Sequence, residues 1–293
     1  MKLDNKLEKL EAILKGYPRI LIALSGGVDS AFLLTFAVKA MGKDRVSAVT
    51  ACGPHLAKDE SAYAERLCRH LGVDHDFTDV GHILSVIKPN PADRCYLCKK
   101  EMFSMLKEKA EATDSILADG TNLDDMDDYR PGHKALNELE ISSPLRDAGL
   151  TKNDIRQALK AIAKADERIY SALILDEGIP MWEKPAFACL ASRIPYGECI
   201  TGEKLSAVYE AELFLRSLGL TQVRVRHHDD TARIEVPRED RRKFFDEDFM
   251  DNVNEKIKRL GFRYVVLDLG GYKMGGGYHD GQQPKQQPKQ QPK

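Results

Sequence analysis

Residues 19–30 read RILIALSGGVDS, and the twelve residues that follow, AFLLTFAVKAMG, run to Gly42. Ile20 to Leu24 is a short, continuously apolar run, the pattern of a strand covered on both faces in a parallel sheet. The next segment is helical and closed by Gly42. Between them, two glycines let the backbone approach a ligand and adopt positive φ. The helix start offers free N–H groups to an anion, and Ser25 and Ser30 add hydroxyls. The loop matches neither GxxxxGK[ST], since it has no lysine, nor GxGxxG. A loop with an aspartate in place of the lysine suits a site that grips nucleotide phosphates with metal help and releases pyrophosphate.

Working outward, strands are expected at 45–51, around VDHDFTDV (73–80) and at SILADGTN (115–122), with helices at 1–16, 58–71 and 93–110 between and around them. Such alternation predicts a doubly wound, mostly parallel α/β sheet with ligands at its carboxyl edge. A continuous helical region is expected from Lys152 to about Asp176, followed by an irregular Pro- and Gly-rich stretch. Helix 202–218, strands QVRVRH and ARIEV, helix 238–259 and strand RYVVLDL suggest a smaller, antiparallel-looking α+β domain. The expected division is 1–180, 181–280 and a disordered tail, 281–293, of three QQPK repeats.

Composition narrows the function. The chain has 293 residues, 42% hydrophobic and 31% charged, with 44 Lys+Arg against 46 Asp+Glu. That balance disfavours a polyanion-binding protein, so no nucleic-acid partner is expected. No apolar run approaches the roughly 20 residues of a membrane span, and the charged N-terminus resembles no signal peptide. A cytoplasmic protein is expected, since six cysteines are too few for a disulfide scaffold. Cys95 and Cys98 form CxxC at a helix start, open to three readings: redox dithiol, half a zinc site, or iron–sulfur ligands. Cys52 and Cys68 suit packing, Trp182 suits the core, and Cys199 has no clear role. His227 and His228 suit the surface or packing. Asp124 and Asp125 follow a sheet strand and are candidate metal-side carboxylates. Arg224 and Arg226, two apart on a strand, share one face and make a fork for phosphate oxygens.

SGGVDS resembles the PP-loop of ATP pyrophosphatases. The resemblance implies attack of a substrate oxygen on the α-phosphate of ATP. It implies ATP contacts from Ser25, Gly26, Gly27, Asp29, Ser30, Thr50, Gly120 and Arg130, with Asp29 and Asp125 on Mg²⁺. A longer set of motifs is similar to the LarE family: DYRPG, KPAFACLASRIPYG, LRSLG, QVRVRHHDDTARIE and LGFRYVVLDLGGYKMG. Only residues 161–176 run longer than that pattern. The family's members are ATP-dependent sulfur transferases of nickel-pincer cofactor synthesis, which serve lactate racemase and its relatives. The resemblance implies that the carboxylates of pyridinium-3,5-biscarboxylic acid mononucleotide become thiocarboxylates.

By the same resemblance Cys189 is the catalytic cysteine. Where the family carries CxxC as well, Cys95, Cys98 and Cys189 hold a [4Fe–4S] cluster; where it does not, the single cysteine gives up its own sulfur. Arg224, Arg226, Ser192 and Arg193 are implied for the substrate phosphate, with Glu212 and Glu235 as acidic neighbours. A homo-oligomer is expected, and the sulfur donor is not specified. Two alternatives are carried alongside: a PP-loop enzyme that thiolates tRNA, and a nucleotide-binding zinc or redox sensor without turnover.

Overall fold

The computed structural model describes residues 2–126, 131–175, 178–185 and 188–272. Arg130 and the QQPK repeats therefore lie outside the described residues. The chain divides into two compact units, residues 1–87 with 93–187, and residues 88–92 with 188–293.

The first unit runs α1 (Leu3–Lys15), β1 (Ile20–Ala23), α2 (Val28–Met41), β2 (Val46–Cys52), α3 (Lys58–Leu71), β3 (Asp74–Asp79), α4 (Ile83–Ile87), α5 (Arg94–Ala112), β4 (Ile116–Ala118), α6 (Pro131–Glu138), α7 (Pro144–Asp147), α8 (Lys152–Ala165) and α9 (Glu167–Ala172). Its four strands are parallel in the order β3-β2-β1-β4. Side-chain alternation sends Ile20 and Ile22 of β1 into a core with α1, α2, α3 and α8, while Leu21 packs with Phe103, Leu106 and Leu136 of α5 and α6. Helices thus cover both faces, as the apolar strand predicts. The chain reverses its lateral direction between β1 and β4, and that switch point is where open α/β sheets bind ligands. Trp182 lies in the larger core, as does Cys68, whose thiol is pushed up to about 12 by burial.

The expected single helix from Lys152 breaks at Asp166. That residue takes an extended conformation, with φ −142°, and its carboxylate accepts from Arg168 N–H at 2.9 Å to start α9. Thr151 and Asp154 form a capping box at the start of α8.

The second unit contains α10 (Gly202–Ser217), β5 (Arg224–His228), β6 (Thr231–Glu235), α11 (Glu247–Lys258) and β7 (Tyr264–Leu267). β5 and β6 are antiparallel but β6 and β7 are parallel, so the small sheet is mixed rather than antiparallel. The expected helix 238–259 is two elements, a 3-10 segment (Arg238–Phe245) and α11, separated at Asp246, which caps α11 by accepting from Phe249 N–H at 2.8 Å. Residues 88–92 belong to this unit through Asn90, whose Nδ2 donates to the carbonyls of Ile194 and Pro195 at 3.2 and 2.6 Å. His227 packs its ring on Phe262 at 4.9 Å. Among the described residues no helix is long and apolar enough to cross a membrane.

Candidate active site

In the first unit the loop between β1 and α2 is built by local chemistry. Gly26 takes φ +79°, and a Cβ there would lie 2.3 Å from the Glu60 carbonyl oxygen, so only glycine fits this turn. Gly27 is the N-cap of α2 with no side-chain cap, which leaves the first N–H groups of the helix for a ligand. Ser25 N–H donates to Ser30 Oγ at 3.2 Å, and that hydroxyl donates to Gly27 O at 3.1 Å, closing the loop on itself. Gly120, just after β4, approaches so closely that a Cβ would sit 2.9 Å from Ser30 N. The switch point therefore brings two glycine turns together at the head of a helix whose first N–H groups are uncapped, a polarity that suits nucleotide phosphates.

Thr50 closes one wall at the end of β2. Its hydroxyl donates to Leu24 O at 2.8 Å and contacts His75 Nε2 at 2.8 Å. A carbonyl can only accept, so the hydroxyl hydrogen is spent on Leu24 and His75 carries its proton on Nε2. Burial holds His75 below the ordinary imidazole value. Asp119 anchors the β4 loop by accepting from Ser143 Oγ at 2.7 Å and from Thr121. Asp125 accepts from Asn122 N–H at 3.1 Å, and Asp124 from Lys152 N–H at 2.8 Å.

Three cations surround the loop, and sequence reading assigned a role to none of them. Lys184, itself buried, donates to Gly26 O at 2.9 Å, pairs with Glu60 at 2.8 Å and stands 4.4 Å from the centre of the Tyr63 ring. Arg156 donates to the carbonyls of Trp182 and Lys184. Lys152 pairs with one carboxylate oxygen of Asp29, while the other, Oδ1, is buried without a hydrogen-bond partner. Burial pushes the Asp29 carboxyl above the usual carboxylate range, and the Lys152 ammonium opposes that rise. A buried, donor-starved oxygen facing a phosphate site is chemically suited to a hard cation such as Mg²⁺. Sequence separations of 123 and 158 residues hid the Lys152 and Lys184 contacts.

Cys95 and Cys98 stand one turn apart at the start of α5, the first exposed and the second half-buried, with Cys98 Sγ 3.5 Å from His55 Nε2. Two accessible thiols at this spacing are a competent half-set of cluster ligands. Among the described residues no three His, Cys, Asp or Glu side chains converge on one point.

In the second unit, the segment holding Cys189 has little regular structure and is organised by a buried guanidinium. Arg193, 1% exposed, donates to both oxygens of Glu212 at 2.9 and 3.1 Å. It also donates to Ala188 O, Cys189 O and Ser192 Oγ at 2.7, 3.2 and 2.9 Å. Glu212 accepts in addition from Val225 N–H of β5 at 3.0 Å. Arg226 forms a second fork with Glu235 at 3.0 and 2.9 Å and donates to Ser192 O at 2.8 Å. The five residues Ser192, Arg193, Glu212, Arg226 and Glu235 thus meet in one network. Arg193 and Arg226 are paired with carboxylates, and Arg224 donates to Val223 O at 2.8 Å and lies 5.4 Å from the Tyr272 ring centre. Burial and the nearby Arg193 lower the Arg224 guanidinium to about 10. Cys189 and Cys199 are both exposed.

The NAD synthase family model matches residues 4–112, which include the glycine loop. A pyridinium-3,5-bisthiocarboxylic acid mononucleotide synthase of Lactiplantibacillus plantarum is 38% identical over 275 residues, 93% of this chain and 94% of its own length. An uncharacterized protein of Synechocystis sp. is 38% identical over 275 residues, 93% of this chain and 97% of its own. An uncharacterized protein of Methanocaldococcus jannaschii is 30% identical over 273 residues, 92% of this chain and 98% of its own. Similarity at this level runs through the glycine loop and the Cys189 network alike, and the chain belongs to the LarE family of PP-loop enzymes.

Proposed function

We propose that this protein is an ATP-dependent sulfur transferase acting on pyridinium-3,5-biscarboxylic acid mononucleotide. A substrate carboxylate oxygen attacks the α-phosphorus of ATP, and the bond to the β-phosphate breaks with release of pyrophosphate. AMP then leaves with its oxygen as sulfur takes its place, giving a thiocarboxylate. Activation is needed because a carboxylate oxygen is a poor leaving group until it carries AMP. The observation that carries this reading is the 38% identity to a synthase of the bisthiocarboxylic product, extending over 93% of the chain.

In this reading Ser25, Gly26, Gly27, Ser30 and Gly120 cradle the phosphates, and Thr50 lies on the adenine side. Asp29, with Asp125, holds Mg²⁺, which supplies charge neutralisation on the phosphates. Asp29 Oδ1, buried and without a partner, supports that assignment. Arg224 is the guanidinium offered to the substrate phosphate. Arg193 and Arg226, held by Glu212 and Glu235, shape the site beside Ser192. Cys95, Cys98 and Cys189 are the thiolates assigned to a [4Fe–4S] cluster, which would supply an iron able to carry sulfide. A homo-oligomer is part of the same proposal.

The test is pyrophosphate release from ATP by anaerobically purified protein. Release is expected to depend on the pyridinium biscarboxylate nucleotide; release unaffected by that nucleotide, or none, would overturn the reading. Mass spectrometry of Cys189 after turnover separates the sulfur sources: an intact residue supports the cluster, and loss of one sulfur refutes it.

A further inference from the structure

The peptide joining Gly26 to Gly27 is the part of the phosphate loop that its own residues constrain least. Gly26 takes φ +79° and Gly27 takes φ −82°. Neither residue has a Cβ to resist rotation, so a peptide between them can turn over and exchange the sides of its carbonyl and its N–H. The groups to either side are held from within the loop. Ser25 N–H donates to Ser30 Oγ, and Gly27 O accepts from Ser30 Oγ at 3.1 Å and from Ala31 N–H at 3.0 Å. The Gly26 carbonyl is instead gripped from far along the chain, by Lys184 at 2.9 Å.

Lys184 is built as a fixed post. Its residue is 8% exposed, its ammonium pairs with Glu60 at 2.8 Å, and the Tyr63 ring centre lies 4.4 Å away. At its other end the main chain is tied down as well: its carbonyl accepts from Arg156 Nη2 at 2.7 Å and its N–H donates to Met181 O at 3.2 Å. A trans peptide is planar and sends its C=O and N–H to opposite sides. Gripping Gly26 O therefore aims Gly27 N–H away from Lys184, to the exposed side of the loop, where Ser25 Oγ is a long 3.4 Å away. A bond that long to a neutral hydroxyl yields readily to a charged phosphate oxygen.

We infer that Lys184 is the positioning residue of the phosphate loop. It acts through the Gly26 carbonyl, holding the Gly26–Gly27 peptide in the orientation that presents Gly27 N–H to the nucleotide phosphates. The inference rests on the proposed ATP chemistry. No bond forms or breaks at the lysine, and its ammonium keeps its proton throughout.

The experiment compares wild type, Lys184→Met and Glu60→Gln, each held well below its own melting transition. Glu60→Gln is the contrast because it removes the buried charge pair and keeps the donor to Gly26 O. Calorimetry with inorganic pyrophosphate and Mg²⁺ reads the loop. In Lys184→Met the affinity should fall about tenfold or more, the loss of one hydrogen bond to a charged group, whereas Glu60→Gln should lower the melting temperature and keep the affinity within about threefold. Unchanged affinity in Lys184→Met overturns the inference. Equal losses in the two variants also overturn it, since the ion pair would then be a structural support alone. A second readout needs no variant at the lysine: in glycine-labelled wild type, the Gly27 amide resonance, assigned by its absence from Gly27→Ala, should move when pyrophosphate is added. A Gly27 resonance that stays still while pyrophosphate binds overturns the inference even if Lys184→Met fails to fold. A wild type that binds neither pyrophosphate nor ATP would instead refute the ATP reading itself.

Discussion

Gly26→Ala isolates the backbone requirement of the phosphate loop. At φ +79° an L-residue carries about 1–2 kcal/mol of steric cost. The added Cβ would also stand 2.3 Å from the Glu60 carbonyl oxygen and 2.8 Å from its carbon, well inside contact distance. Those atoms are backbone, so relief requires α3 or the loop to shift, at about 1–3 kcal/mol by analogy with overpacked cores. The expected total is about 2–5 kcal/mol. Gly27→Ala is the internal control, because its φ is −82° and the nearest atom to a new Cβ is Ser25 Oγ at 3.4 Å. Loss of a glycine N-cap should cost about 1 kcal/mol or less. Urea titrations of the two variants, read by circular dichroism, give the difference directly, and ATP titrations show whether the loop still binds. Coincident midpoints for the two variants would refute the argument that Gly26 is dictated by the turn.

Further outcomes follow from the same contacts. Glu212→Gln removes the charge from a pair whose side chains are 1% and 0% exposed, leaving Arg193 buried without its counter-ion; a loss of about 3–5 kcal/mol is expected by denaturant unfolding, and a change under 1 kcal/mol would contradict the network. Cys95→Ser should reduce iron and acid-labile sulfide to background in anaerobic preparations, and undiminished iron would remove Cys95 from the ligand set. Burial holds His75 and His227 below their ordinary 6.5, so the unfolded chain protonates first as pH falls. Their contribution to stability is complete above about pH 6.5 and lost below it; His75→Asn should flatten the fall in urea midpoint between about pH 7 and 5.5. Alkylation of the native protein without iron at about pH 8 should modify Cys95, Cys189 and Cys199 well before Cys68, as peptide mapping would show.

The parts of the fold legible in the sequence are those set by neighbours along the chain. Ile20 to Leu24 followed by two glycines and a helix states its own geometry, because strand burial, positive φ and helix capping are local properties. Asp166 and Asp246 had the same kind of signal, since each is an N-cap residue ahead of a helix. Their apolar and charged surroundings continued the helical period and concealed the break. Whether β7 pairs in parallel depends on whether it joins β6 or β5, which no local pattern encodes. The site divides in the same way. Asp29, Gly26 and Ser30 were readable from their loop, whereas Lys152 and Lys184 act across more than a hundred residues. Glu212 is a carboxylate, a group ordinarily left in water, yet it falls on the buried face of α10 and accepts from three donors of Arg193 and β5.

The Arg193 guanidinium has a consequence for when the Cys189 thiol acquires its position. The carbonyl groups on either side of that residue are gathered by a charge that is tolerable away from water only once α10 has supplied Glu212 and β5 has closed over it. A nascent or partly melted second unit has no means of holding Cys189 in this arrangement. The thiol's mount is therefore complete only when α10 and β5 are both in place. Because the anchoring charges are sequestered from ions in solution, the mount is insensitive to salt and fails only when the unit around it does.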